Sequence, residues 1–112
     1  MLIEKKEIVA AGDVVSFRLT NGEEIVAKLV STDEKYVIVT KPIIAQIQMV
    51  SANQAGLAFG PFMASVNEDT AKFNFPRTNL LSEPLKTRPD IAANYIKMTT
   101  GLDVPTGGLL KA

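Results

Sequence analysis

The sequence predicts an all-β fold of antiparallel strands that ends in one α-helix. The chain has 112 residues, of which 46% are hydrophobic and 21% are charged, as expected for one globular domain. Apolar and polar residues alternate in short runs separated by turn residues, which is the pattern of strands, and helical spacing begins only near residue 87. We therefore expect a β domain over residues 1–86, a helix over 87–101 and a tail over 102–112, all in a single domain.

The first three strands are predicted by alternation and by one turn signal. Residues 14–20 and 24–30 are two alternating runs joined by Asn21-Gly22, the strongest short signal for a hairpin with a type I′ turn, which needs positive φ at both central residues. Residues 36–40 are apolar on both faces, which predicts a third strand buried on both. Two tight connections make these strands a meander.

A stretch without charge follows the third strand. None of the 26 residues from 42 to 67 is charged, and the stretch is predicted to be a second hairpin with strands at 43–50 and 57–63 and a turn at 51–56. Pro42 and Pro61 are expected at bends, bulges or edges because they donate no ladder hydrogen bond. Prolines and glycines interrupt the stretch, so it is not a membrane span, and we expect no membrane partner. Two interpretations stay open: a hairpin buried in its own small core, or an uncharged surface packed against sister subunits.

The rest of the chain is predicted to add short strands, the helix and the tail. A strand over 71–75 places Phe73 and Phe75 on one face, a turn covers 76–79, and another short strand starts at residues 80–81. Thr87 is predicted to cap the helix, with Asp90 three residues on. Gly101 suits the end of the helix, and the tail is expected to be a loose end or a strap onto a neighbour. Apolar residues recur at helical spacing at Ile91, Ala92, Tyr95 and Met98.

Composition excludes several classes of function. There is no His, Cys or Trp, which excludes Ser-His-Asp and Cys-His catalysis in their usual forms, zinc sites and disulfides. Adjacent acidic pairs lie at turns, where we interpret them as solvated. We therefore expect no enzyme activity, no cofactor and no metal. Twelve basic residues balance twelve acidic ones, so nucleic-acid binding would have to depend on a local patch. Charges near the N-terminus are unlike a signal peptide, and we expect a cytoplasmic protein.

The meander resembles the first signature of the Sm/LSm proteins. Alternating apolar residues lead into the turn at Asn21-Gly22, a small residue stands at Ala27, Leu29 follows, and Asp33 precedes the third strand. Arg77 stands where the second signature has its arginine, with Thr78 in place of the following glycine. The resemblance implies a small, strongly bent, five-stranded antiparallel Sm-like (SH3-like) barrel with a C-terminal α-helix. It also implies subunits that join edge to edge into a homo-oligomeric ring.

The same resemblance implies single-stranded RNA binding at the pore of the ring. The position that stacks on a base falls at Lys35, the asparagine that bonds the base is replaced by Val37, and the arginine is Arg77. Val37 has no group that reads a base edge, so the resemblance implies binding without sequence preference. Tyr36 stacks on a base if the loop is shifted by one position. The candidate nucleic-acid-binding residues are Lys35, Tyr36, Lys41, Arg77 and Asn79. The alternative role for Arg77 is an ion pair with Glu68, Asp69 or Glu83.

The whole chain also resembles small proteins encoded by tailed marine phages, particularly phages of cyanobacteria. That resemblance is carried by residues 12–27, 56–62 and 94–101. Two functions follow as hypotheses. The first is a ring that binds single-stranded RNA or DNA in phage nucleic-acid processing, in the host cytoplasm; the alternative is a non-catalytic protein–protein assembly or adaptor module. Clustering of Lys35, Lys41 and Arg77 on one face favours nucleic acid, whereas a large exposed apolar face favours a protein partner.

Overall fold

A computed structural model describes residues 8–63, 65, 71–100 and 109–110 of the chain. It confirms a mostly β, antiparallel architecture with one C-terminal helix. The elements are β1 (Val14–Arg18), β2 (Glu24–Thr32), β3 (Tyr36–Ser51), β4 (Gln54–Pro61), β5 (Lys72–Pro76), a 3-10 helix (Arg77–Asn79), β6 (Leu85–Lys86), α1 (Pro89–Thr100) and β7 (Leu109–Leu110).

All strands belong to one sheet built around the long strand β3. The order is β6-β1-β2-β3-β4-β7, and β5 also pairs with β3. β5 pairs with residues 36–40 of β3 and β4 with residues 43–51, so these two strands follow each other along β3. The predicted barrel of five strands differs from the described residues, in which the sheet has seven strands and is not closed into a barrel. One edge of β3 pairs with β2, and its other edge pairs with β5 over the first part and with β4 over the rest. β6 pairs with β1 alone.

The β1–β2 hairpin is confirmed, but its turn differs from the prediction. The amide of Gly22 donates to the carbonyl of Leu19 (2.9 Å), and the amide of Leu19 donates to the carbonyl of Glu23 (2.8 Å). Gly22 has φ of 93°, whereas Asn21 does not have positive φ. The connection is therefore a three-residue loop that ends in a left-handed glycine, rather than a two-residue type I′ turn.

β3 continues through a sharp bend where two separate strands were predicted. Lys41 adopts a left-handed conformation with φ of 51°, directly before Pro42, and the β2–β3 register shifts opposite this point. The prediction that Pro42 lies at a bend or bulge is confirmed. The hydroxyl of Tyr95 on α1 donates to the carbonyls of Lys41 (2.7 Å) and Thr40 (3.3 Å). The helix therefore stabilises the bend through two of its carbonyls.

Two apolar clusters lie on opposite faces of the sheet. One packs between β1, β2, the first half of β3 and β5, with Phe17 and Phe75 in edge contact at 5.2 Å. Phe73 packs against the same cluster, which confirms the predicted face of β5. The second lies between α1 and the other half of the sheet and consists of Val26, Ile43, Ala45, Phe59, Ile91 and Tyr95. Ile91 and Tyr95 are buried as the helical spacing predicts.

The helix covers only part of β3, which explains a wrong prediction about burial. Val37 and Val39 are fully buried, but Tyr36 is 40% exposed and Ile38 is half-buried. The strand over 36–40 is therefore buried on one face rather than on both. β2 is the strand with apolar burial on both faces, because Val26 contacts the helix side while Ile25 and Ala27 face the other cluster.

The C-terminal region differs from the prediction at the start of the helix and in the tail. α1 begins at Pro89, and the hydroxyl of Thr87 is hydrogen-bonded to that of Ser16 at 2.7 Å instead of capping the helix. Leu109–Leu110 pairs with β4 of the same chain at Ala58 and Leu57, so this part of the tail is neither a loose end nor a strap onto a neighbour. Gly101, residues 1–7, residues 67–70 and the rest of the tail lie outside the described residues.

The uncharged second hairpin is confirmed as the outer part of β3 with β4, joined by a tight turn in which Ser51 pairs with Gln54. Its base is buried under α1 through Ile43, Ala45 and Phe59. Residues 46–55, which we name the hairpin arm, are all exposed. The interpretation that this hairpin is buried in its own core therefore holds only for its base.

Candidate nucleic-acid interface

The turn between β2 and β3 is organised by Asp33. One carboxylate oxygen accepts hydrogen bonds from the amides of Lys35 (2.7 Å) and Tyr36 (2.8 Å). These backbone donors, first Tyr36 and then Lys35, hold the pKa of Asp33 below its ordinary value, with Arg77 contributing. An ionised Asp33 thus fixes the turn that presents Lys35 and starts β3 at Tyr36.

Arg77 ties the 3-10 helix to this turn. Its amide donates to the carbonyl of Lys35 at 2.9 Å. Its guanidinium donates to the hydroxyl of Thr32, the carbonyl of Asp33 and the carboxylate of Glu83. The side chain is only 27% exposed. Arg77 therefore acts mainly as a clamp within the chain, and the part of its surface open to a ligand is small.

The five predicted site residues do not form one cluster. Lys35, Tyr36 and Arg77 lie together at the β2–β3 turn, which we name the loop end. The carbonyl of Asn79 accepts from the amide of Thr20 at 2.8 Å, which places Asn79 at the other end of the 3-10 helix. Lys41 is six residues along β3 from Lys35, about 20 Å of extended strand. Its ammonium donates to the carbonyl of Thr99 at 3.2 Å, at the C-terminal end of α1, where a cation is favoured.

The loop end carries nearly balanced charge. Lys35 and Arg77 are positive, whereas Asp33, Glu34 and Glu83 are negative, so the net charge is −1 and this surface does not by itself attract phosphate. Val37, at the position where the resemblance implies an asparagine, is fully buried, so its side chain is not accessible to a ligand. The exposed ring of Tyr36 is the group at this end that can stack on a base.

A shallow depression lies next to the clamp, between the 3-10 helix and β6. It is lined by Arg77, Leu80, Leu81, Ser82 and Glu83, and Leu81 is 62% exposed. Sequence reasoning named Glu83 only as one of three candidate partners of Arg77 and Asp33 only as part of the first signature, and it did not name Thr32. For Asp33 a signal exists, because an Asp directly after a strand commonly accepts hydrogen bonds from the amides that follow it. Glu83 has no such local signal, since its partner is set by how β6 folds back.

Two negative findings concern the described part of the chain. No group of three or more acidic side chains there could hold a metal ion. The single helix in those ranges is too short to cross a membrane.

The fold and the loop end together define a small antiparallel β protein in which the turn before β3 and the segment after β5 form one surface. A family model of the Sm-like domain matches residues 16–74, from β1 through most of β5, which is more than half of the chain. The chain belongs to the Sm-like family. The match ends before Arg77, so it does not extend to the position of the second signature's arginine. No curated protein matches the chain.

Proposed function

We propose that this protein forms a homo-oligomeric ring and binds single-stranded nucleic acid at the loop end. Membership of the Sm-like family, whose members commonly form rings and bind RNA, supports the proposal. The observation that carries it is the position of Tyr36. An exposed aromatic ring stands beside the Arg77 clamp, one position after Lys35, at which the resemblance places the stacked base.

Open strand edges support assembly into a ring. Within the described residues, β6 pairs with β1 only and β5 with β3 only, so each leaves an edge of backbone donors and acceptors. Unpaired edges favour association with another chain. Closed rotational symmetry satisfies both edges in every subunit, because the edge of one copy meets the other edge of the next.

The charge and burial at the loop end favour binding without sequence preference. Stacking of a base on an aromatic ring contributes about 1–3 kcal/mol and tolerates any base. The buried Val37 reads no base edge, and the acidic neighbours limit phosphate attraction. We therefore expect modest affinity per subunit, a shallow dependence on salt, and a gain from repetition around a ring. The resemblance to phage proteins suggests a role in processing phage RNA or DNA.

The test is fluorescence anisotropy of labelled single-stranded RNA and DNA oligomers at two salt concentrations. Tyr36→Ala is expected to weaken binding about tenfold, whereas Tyr36→Phe keeps the ring and most of the affinity. Lys35→Ala should reduce both the affinity and the salt slope. Lys97→Ala, which removes an exposed lysine on α1, is the matched control. The proposal fails if the wild-type protein does not bind at low salt, or if Tyr36→Ala binds as well as wild type.

A second candidate function, a non-catalytic assembly module for proteins, is favoured by the hairpin arm. Its residues are exposed and uncharged, and Ile47 and Met49 are 77% and 67% exposed. An oligomer of intact fold that binds neither RNA nor DNA would favour this function over the first.

A further inference from the structure

The hairpin arm carries an apolar face that continues the helix-side core into solvent. Ile43 and Ala45 are buried under α1, and the next two residues on the same face of β3 are Ile47 and Met49. Their partners across the hairpin are Leu57 and Ala55. Because α1 does not reach these positions, the apolar side chains of Ile47 and Met49 are exposed to solvent.

The size and composition of this face are those of an interaction surface. Ile47 and Met49 are 77% and 67% exposed. Together they present on the order of 300 Å² of apolar surface, which equals the largest patch of many monomeric proteins. No residue from 42 to 67 is charged, and depletion of charge is typical of the centre of an interface.

We propose that the arms of two copies of this chain pair with each other, helix-side face against helix-side face, about a two-fold axis. In such a contact the same patch must fit itself. An uncharged patch meets its own copy without like-charge repulsion, whereas most charged surfaces do not. Gln46 and Gln48 lie on the opposite face of β3, so they stay hydrated in the pair.

The chemistry of the arm fits a second copy better than other occupants. The arm has no cation to contact a phosphate backbone, so nucleic acid is disfavoured. Pairing two arms, with the residues that flank Ile47 and Met49 on this face, buries on the order of 1,000 Å² in total, the lower end for a specific interface. The contact uses the face of the strands and leaves the edges of β5 and β6 available, so it does not depend on ring formation.

The absence of cysteine from the chain allows a direct test by cross-linking. Met49→Cys places a thiol on the proposed contact face, and Gln48→Cys places one on the other face at an adjacent, equally accessible position. The proposal places the two-fold axis at the centre of this face, next to residue 49, so the two copies of residue 49 lie within reach of a short linker. With a short bis-maleimide linker at micromolar protein, Met49→Cys is expected to give linked pairs at least about tenfold faster than Gln48→Cys, because only its thiol lies between the paired arms. Equal rates overturn the proposal.

A second measurement tests the contact in the unlinked protein. Replacing Ile47 and Met49 with glutamate buries four like charges between the paired arms and is expected to halve the mass seen by sedimentation. Replacing Gln46 and Gln48 with glutamate adds the same charge to the opposite face and should leave the mass unchanged. If the Ile47 and Met49 variant folds, as judged by circular dichroism, and keeps the wild-type mass, arm pairing is wrong. If the protein does not form a ring, both expectations still hold, because the mass then halves from that of a dimer to that of a monomer.

Discussion

Arg77 is expected to contribute more to stability than any other charged residue of the loop end, and Arg77→Ala tests this. The substitution removes the bonds to the Thr32 hydroxyl and the Asp33 carbonyl, each contributing about 1 kcal/mol, since water can reach both acceptors afterwards. The ion pair with Glu83 adds less than about 1 kcal/mol, because the Glu83 side chain is 73% exposed. The free energy of unfolding should therefore fall by about 2–3 kcal/mol, and the midpoint of thermal unfolding by about 10 °C.

The assay is urea unfolding followed by circular dichroism, with every variant at the same protein concentration because assembly shifts apparent stability. Lys35→Ala is the control, since its side chain is exposed and contributes little to the fold. A loss below about 0.5 kcal/mol in Arg77→Ala, which is the range of ordinary surface substitutions, would refute the clamp. Arg77→Ala should therefore be tested for nucleic-acid binding only at temperatures where it is folded.

Three further predictions concern the turns and the bend. Gly22→Ala should cost about 1–2 kcal/mol from backbone strain alone, because φ is positive and an added Cβ meets only open space. Gly60→Ala is the control, since its added Cβ also meets open space and its φ is not positive. An equal urea midpoint for the two variants would contradict this prediction. The pKa of Asp33 is lowered in the folded state, so Asp33 stabilises the fold at a pH above its unfolded-state pKa, and this effect is lost as the pH falls through its folded-state pKa. Asp33→Asn should therefore flatten the fall in urea midpoint below about pH 4. An unchanged acid profile would count against this role of Asp33. Tyr95→Phe should cost about 1–2 kcal/mol by removing the donor to two carbonyls of the bend, and a neutral urea midpoint would show that the bend does not need it.

Local signals predicted most of the strands, and tertiary contacts decided what those signals missed. Alternation and the Asn21-Gly22 pair were sufficient to place the first hairpin. The type of turn was wrong because the pairing of Leu19 with Glu23 sets a loop of three residues. The continuity of β3 was missed because a proline normally ends a strand. Here a left-handed Lys41 precedes it, and the carbonyls at this bend accept from Tyr95, more than fifty residues away in sequence.

The candidate site was predicted in part for the same reason. The resemblance placed Lys35 and Arg77 at equivalent positions of the family pocket, and the structure brings them into contact. Lys41 was grouped with them because it follows the same predicted strand. The strand itself carries Lys41 away from the turn to the C-terminal end of α1, where it pairs with Thr99. The role of Glu83 depends on the path of the chain after the 3-10 helix, which no short motif specifies.

The two proposed surfaces lie towards opposite ends of β3, and this separation has a consequence for binding. Tyr36 begins the strand and Met49 lies near its end, with the bend at Lys41 between them. Arm pairing therefore leaves the loop end accessible in both copies. A single loop end of balanced charge binds a polyanion weakly, but linked loop ends raise the effective concentration of each for the same strand. If both proposals hold, the Ile47 and Met49 charge variant should keep the affinity of each loop end for short oligomers. The same variant should lose affinity for strands long enough to reach both copies.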